Sequence, residues 1–172
     1  MTAPPRGTGA SVQTFLPYAD FRRSAEVLDR PRLGKQRAEC LQVLRGLTVP
    51  TYGWRHHPAV KMWRGCEEAL GRYTFTVCDV WVEGGGADTV AESFARELAA
   101  IDVDTVRTQE QLAEADRLPA WLGDPAFHTS HQSALVRKDP ERYARLFPGV
   151  PDDLPYLWPD VDWPEVDAVS PG

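Results

Sequence analysis

The chain is poor in cysteine. Cys40, Cys66 and Cys78 are its three, and no two of them form a CxxC pair. An odd, sparse set fits a reducing cytoplasm and reads as core thiols. Long apolar runs are missing as well. None reaches the roughly 18 residues of a membrane span, so no membrane partner is expected. The opening segment, Met1 to Val12, has no apolar h-region and is not read as a secretory signal. There is no GxxxxGK[ST] loop, no GxSxG and no dinucleotide fingerprint. Gly84-Gly85-Gly86 therefore reads as a helix stop. No internal repeat and no series of strands is visible. No cofactor is called for, and no metal: His128 and His131 stand three apart, but no ligand quartet accompanies them.

Basic charge is scarce overall and unevenly spread. Across 172 residues, 19 Lys and Arg face 25 Asp and Glu, a net charge of −6. That balance alone argues against a surface coated for nucleic acid. Yet Arg22 to Arg72 holds 11 basic and 5 acidic residues, while Tyr73 to Arg117 holds 3 and 10. From Leu146 to Gly172 there is no Lys or Arg, and there are 6 acids. The chain is dipolar, and its basic block needs an explanation.

Helical signals dominate what remains. Asp20 caps a short helix with Phe21, Ala25 and Leu28 on one face. Pro31 opens a second, carrying Leu33, Cys40, Leu41, Leu44 and Leu47 to about residue 47. The spacing of Ala59, Trp63, Cys66, Leu70, Tyr73, Val77 and Trp81 predicts one long helix from Pro58 to the glycine triplet. Thr89 with Glu92, and Thr108 with Gln111, form capping-box patterns. Asp124-Pro125 and Asp139-Pro140 mark two further starts. The expectation is a single all-α domain of about six helices over 13–158, with a Pro-rich C-terminal strap. Residues 1–12 are read as a disordered tail and 159–172 as an acidic one.

Three clusters can carry chemistry. On a helix, Arg32, Lys35 and Glu39 share a face at i, i+3 and i+7, with Asp29, Arg30 and Arg37 nearby. Such a helix start presents cations to phosphate and carboxylates for proton transfer. The plainer reading is a solvated face with internal ion pairs. Tyr52 to Pro58 interleaves Trp54, Arg55, His56 and His57, which can stack bases and hold phosphates. Equally, Trp54 can plug the core while His57 caps the next helix. His128 and His131 suit a core or proton-transfer role. Arg137, Lys138, Arg142 and Arg145 form a basic rim at Asp139-Pro140, and Lys61 adds another cation.

The stretches "VLDRPRLGKQRAECLQVLRGL", "HHPAVKMWRGCEEALGRY" and "FHTSHQSALVRKDPERYARLFPG" together resemble the pyrimidine dimer DNA glycosylase family. These are small all-α, phage-type repair enzymes historically called endonuclease V, and a bacterial branch of them is the nearest likeness. The resemblance spans roughly Gln13 to Trp158. It implies a DNA partner, base excision at damaged or modified pyrimidines, and attack on C1′ by an N-terminal α-amine. A Schiff base, support from a carboxylate and β-elimination follow, with a base flipped from the duplex. The supporting carboxylate falls on Asp29. Thr2 is the amine left after Met removal, though a Pro/Gly-rich tail parts it from Gln13. Lys35 is an alternative nucleophile if burial beside Arg32 and Arg37 lowers its pKa. Asp29 or Glu39 activating water is another route. His57 and His131 are further proton-transfer candidates. Arg32, Arg37, Trp54, Arg55, His56, Lys61, Arg137 and Lys138 are candidate DNA contacts. Two other functions compete: a non-catalytic nucleic-acid-binding module, and an enzyme on a small nucleotide or modified nucleoside. A DNA-acting enzyme of this kind would be cytoplasmic and nucleoid-associated.

Overall fold

A computed structural model describes residues 12–159. Among them there are eight α-helices and no strand. These are α1 (Phe21–Val27), α2 (Arg30–Thr48), α3 (Pro58–Lys61), α4 (Glu67–Glu83), α5 (Val90–Ala99), α6 (Gln109–Glu114), α7 (Pro125–Lys138) and α8 (Pro140–Leu146). None is long and apolar enough to cross a membrane. The all-α expectation is met. Thr2 and the acidic end from residue 160 lie outside the described residues.

Most predicted helix starts fall where the capping chemistry puts them. Asp20 accepts the Arg23 N–H, Asp29 accepts that of Arg32, and Asp124 that of Ala126. The Thr108 and Gln111 side chains form a reciprocal capping box. Thr89 makes no cap bond; the carboxylate of Asp88 accepts from Val90 and Ala91 instead. The predicted long helix is two helices. Between α3 and α4 the chain turns at Gly65, whose φ of 75° is left-handed, a conformation that costs an L side chain roughly 1–2 kcal/mol. Apolar spacing could not reveal the turn, because Met62 and Trp63 within it are fully buried and keep the period.

Helix α4 lies at the centre, packed on α1, α2 and α5. Its Tyr73 stacks on Trp63 and meets Phe21 edge-on; Trp121 meets Trp63 edge-on from the other side. Cys40 and Cys78 are buried thiols, and Cys66 is half-buried.

The N-terminal segment 12–17 is extended, buried and paired with no strand. Its backbone is satisfied by side chains. The N–H groups of Gln13, Phe15 and Leu16 donate to Glu39 Oε2 (2.7 Å), Gln36 Oε1 (2.9 Å) and His131 Nδ1 (2.9 Å). The carbonyls of Gln13, Phe15, Leu16 and Pro17 accept from Gln36, Tyr73, His128 and Gln132. Helices α2, α4 and α7 thus grip one strand of backbone, and Val12 at its start is in the core. A buried polar backbone must find partners somewhere; here the sequence supplies Gln, Glu, His and Tyr at the contact points.

Helix α7 also holds the C-terminal strap. The Leu154 and Leu157 N–H groups donate to the hydroxyls of Ser133 and Ser130. Arg137 donates to the carbonyls of Asp152 and Leu154. The strap expectation holds through Trp158, whereas Trp163 lies outside the described residues.

Candidate active site

The site grows from the start of α2. Asp29 caps that helix because its carboxylate accepts the Arg32 N–H, while Pro31 in the first turn has no N–H to satisfy. From there 3.6 residues per turn bring Arg32, Lys35 and Glu39 onto one face. That face opens on a pocket of about 520 Å³ lined by Gln13, Phe15, Asp29, Arg32, Lys35, Glu39, Lys138, Asp139 and Tyr156. A second, shallower depression of about 560 Å³ shares Asp29 and Asp139 with it and carries Arg142 and Arg145. Three cations and three carboxylates therefore meet at the pocket, with Phe15 and Tyr156 as its aromatic walls.

Its two principal carboxylates differ. Asp29 is held from several sides. Arg32 Nη1 donates to Oδ1 at 2.9 Å, the Arg32 N–H donates to Oδ2, and the Tyr143 hydroxyl donates to Oδ1. Burial works against the charge, but these donors outweigh it and hold the carboxyl below its ordinary range. Glu39 is 7% exposed. Burial pushes its carboxyl up, although the Gln13 N–H and the Lys35 ammonium at 3.6 Å oppose that. One carboxyl is tuned toward the ion and the other toward the acid. Divergence of this kind is how paired carboxyls take separate roles in proton transfer.

The amines differ too. The Lys35 side chain is 58% exposed. It is not buried beside Arg32 and Arg37, so the premise for a desolvated nucleophile at Lys35 is corrected. Lys138 is the pocket amine whose proton is weakened, by partial burial and then by the cations Arg32, Lys35 and Arg137.

The other candidates stand elsewhere. Arg37 turns to the far side of α2, where it pairs with Asp88 and packs on Trp81. Arg137 is engaged with the strap. His131 is fully buried, and burial and nearby His128 push its pKa down to about 3. Its Nδ1 accepts from Leu16, while Nε2 has no partner among the described residues. His57 caps α3, its Nδ1 accepting from Ala59. Trp54 packs on the core with an edge toward His57. Arg55 and His56 sit in the loop before α3, and Lys61 ends that helix. Rings nevertheless connect this loop to the pocket wall: Tyr156 to Trp158 at 5.4 Å, Trp158 to His57 at 5.8 Å and His57 to Trp54 at 5.5 Å. Among the described residues, no three His, Cys, Asp or Glu side chains gather as a metal site requires.

Sequence reasoning missed Gln13, Gln36, Asp139 and Tyr143 as parts of this environment. Gln36 does not line the pocket; it is buried against the backbone of Gln13 and Phe15. Tyr143 carried no signal, because its partner is 114 residues away.

Clustered cations and two differently tuned carboxyls thus share one open pocket. Comparison with known proteins adds a family likeness. Residues 12–91, a little under half of the chain, match the model of the pyrimidine dimer DNA glycosylase family. The resemblance read from the sequence is to that family. The matched stretch contains Gln13, Asp29, Arg32, Lys35 and Glu39; it ends before Lys138, Tyr143 and Tyr156. No curated protein and no solved structure matches the chain.

Proposed function

We propose that the protein is a DNA glycosylase for damaged or modified pyrimidines, with abasic-site lyase activity carried by an amine in the Asp29–Glu39 pocket. The supporting observation is the convergence of Asp29, Arg32, Lys35, Glu39, Lys138 and the Gln13 nitrogen on one open pocket. Arg32, Lys35 and Lys138 hold the phosphates beside the reacting sugar. Trp54 and Trp158, linked to the pocket through Tyr156 and His57, offer faces on which bases stack.

The chemistry follows from the tuning. An amine lone pair attacks C1′, and the C1′–N bond breaks. The base leaves with that electron pair and takes a proton from Glu39, the carboxyl that burial favours in its acid form. A proton passes from the amine to O4′ as the C1′–O4′ bond breaks, leaving a cationic Schiff base that the ionised Asp29 supports. Glu39, now a carboxylate, takes the 2′ proton, and the 3′ C–O bond breaks with its electron pair leaving on the phosphate. Lys35 and Lys138 present side-chain amines. The Gln13 nitrogen, 2.7 Å from Glu39, presents a third in any mature chain that begins there. Thr2 remains the fourth candidate. The rigid grip on 12–17 gives the Gln13 position the pre-organisation that catalysis requires.

Borohydride trapping on an abasic duplex, followed by peptide mapping, tests the proposal. A covalent adduct at Lys35, Lys138 or an N-terminal peptide supports it. Base release without an adduct moves the chemistry to water activated by Asp29 or Glu39. Inertness toward irradiated, abasic and modified-base duplexes overturns it.

A further inference from the structure

Tyr143 lies outside the family-matched segment, in the short helix α8, yet its side chain ends at the candidate carboxylate. It is fully buried. Its ring stacks parallel to Phe147 at 6.1 Å, and Arg142 and Arg32 lie over it at 5.5 and 6.0 Å. The hydroxyl makes two bonds to one residue. It accepts the backbone N–H of Asp29 at 2.9 Å and donates to Asp29 Oδ1. A phenol in this position fixes both the backbone and the carboxyl of the helix cap. Burial, and then the Asp29 bond, push its own pKa up to about 12, so it stays a neutral donor wherever the protein is folded and working.

We infer that Tyr143 is the positioning residue that keeps Asp29 ionised and aimed into the pocket. This rests on the catalytic reading of that pocket for its function, but not for its geometry. A hydroxyl that donates only to the ionised carboxylate favours the charged form. Arg32 shares the task from the same helix. Tyr143 differs in arriving from α8, so the docking of α8 on α2 becomes a condition for an ionised Asp29. Besides Tyr143, the charged and titratable groups that share the two depressions with Asp29 are Arg32, Lys35 and Glu39 from α2, Lys138 from α7, Asp139 between α7 and α8, and Glu141, Arg142 and Arg145 from α8, with Tyr156 of the strap. The carboxylates work against the charge on Asp29, and the cations work for it.

Tyr143→Phe removes one oxygen and keeps the ring on Phe147. Two readouts are taken on the full chain: the carbon-13 carboxyl titration of Asp29, and the pH profile of strand cleavage at an abasic site. In the variant, both the Asp29 titration and the acid limb of the profile move to higher pH. A hydrogen bond to a charged group is worth about one unit of that titration, so cleavage falls toward about 10-fold only at the acid end of the profile and hardly at all at pH 8. A merely structural tyrosine would lower activity equally at both. Should Tyr143→Phe fold poorly, site-specific 3-fluorotyrosine at 143 makes the hydroxyl a stronger donor and moves the Asp29 titration to lower pH. An Asp29 titration unchanged in a folded variant overturns the inference. A wild-type protein that does not cleave abasic sites removes the lyase step alone, since the titration still decides what Tyr143 does to Asp29.

Discussion

Arg32 and Arg37 sit five residues apart on α2, about 140° around the helix, and lead different lives. Arg32 faces the open pocket with Lys35 and Glu39, one flank of its guanidinium on Asp29. Arg37 lies on the other face with the exposed Arg30, and both guanidinia pack on the Trp81 ring, at 4.5 and 4.2 Å. Arg37 also pairs with Asp88, which caps α5 and is 5% exposed. The helix passes so close at Gly34 that a Cβ there would meet the Trp81 ring at 3.0 Å. A dense basic segment is thus divided by helical geometry. One face sets its charges around the open pocket, and the other uses charge to fasten α2 to α4 and α5.

The largest effect should come from breaking the Trp81 face. Arg37→Ala leaves the Asp88 carboxylate buried without its cation, which costs about 3 kcal/mol or more. Urea denaturation reads that loss. The folded fraction should bind and cleave DNA as before, because Arg37 does not line the pocket. A stable Arg37→Ala protein with impaired DNA binding would reverse the roles assigned to the two faces.

This division marks the limit of what the sequence made legible. The shared face of Arg32, Lys35 and Glu39 was readable, since it follows from periodicity alone. So were the caps at Asp20, Asp124 and Asp139, which are local. The destination of Arg37 was not, because Trp81 and Asp88 approach it only after α4 and α5 have packed. The histidines of α7 teach the same thing. Their spacing placed them on one face, but nothing local showed that they clamp the two sides of the Leu16 peptide, more than 110 residues away in the chain. Gln13 read as the place where the domain begins, with no sign that its N–H bonds Glu39 beside the pocket. Tertiary partners decided each of these positions.

A smaller effect is expected at the clamp. His131→Gln keeps a hydrogen-bond acceptor but fits the Leu16 N–H less well, and should cost about 1–2 kcal/mol at pH 7. Its pH dependence is the sharper readout. His131 is held neutral, with its pKa down at about 3. Below about 6.5, the ordinary histidine value, the unfolded chain takes up a proton that the folded protein refuses. Wild-type stability therefore falls as the pH drops from 6.5 toward 3, and the gap to His131→Gln narrows. Parallel stability profiles would contradict the buried, neutral clamp.

Arg32→Ala comes next, and it separates the pocket face from the Trp81 face. The Asp29–Arg32 pair is partly exposed and local, so stability should change by no more than about 1 kcal/mol. DNA affinity should fall for all sequences alike, and the salt slope should drop by about one phosphate contact. Titrating binding against salt for Arg32→Ala and Arg37→Ala together measures how cleanly the two faces divide.

The smallest effect on stability concerns Glu39, and there the sign carries the information. Its folded carboxyl is raised by burial, so the folded protein holds a proton more tightly than the unfolded chain. Stability from this group is fully present below the ordinary glutamate pKa and is lost as the pH rises through the folded one. Glu39→Gln keeps an acceptor for the Gln13 N–H and removes the charge. It should be slightly more stable than wild type at pH 7, with the difference vanishing near pH 4, while base excision is lost along with the proton donor. A variant less stable than wild type at pH 7 would mean that the Lys35 and Gln13 contacts favour the carboxylate enough to overcome burial, and the acid role would then pass from Glu39.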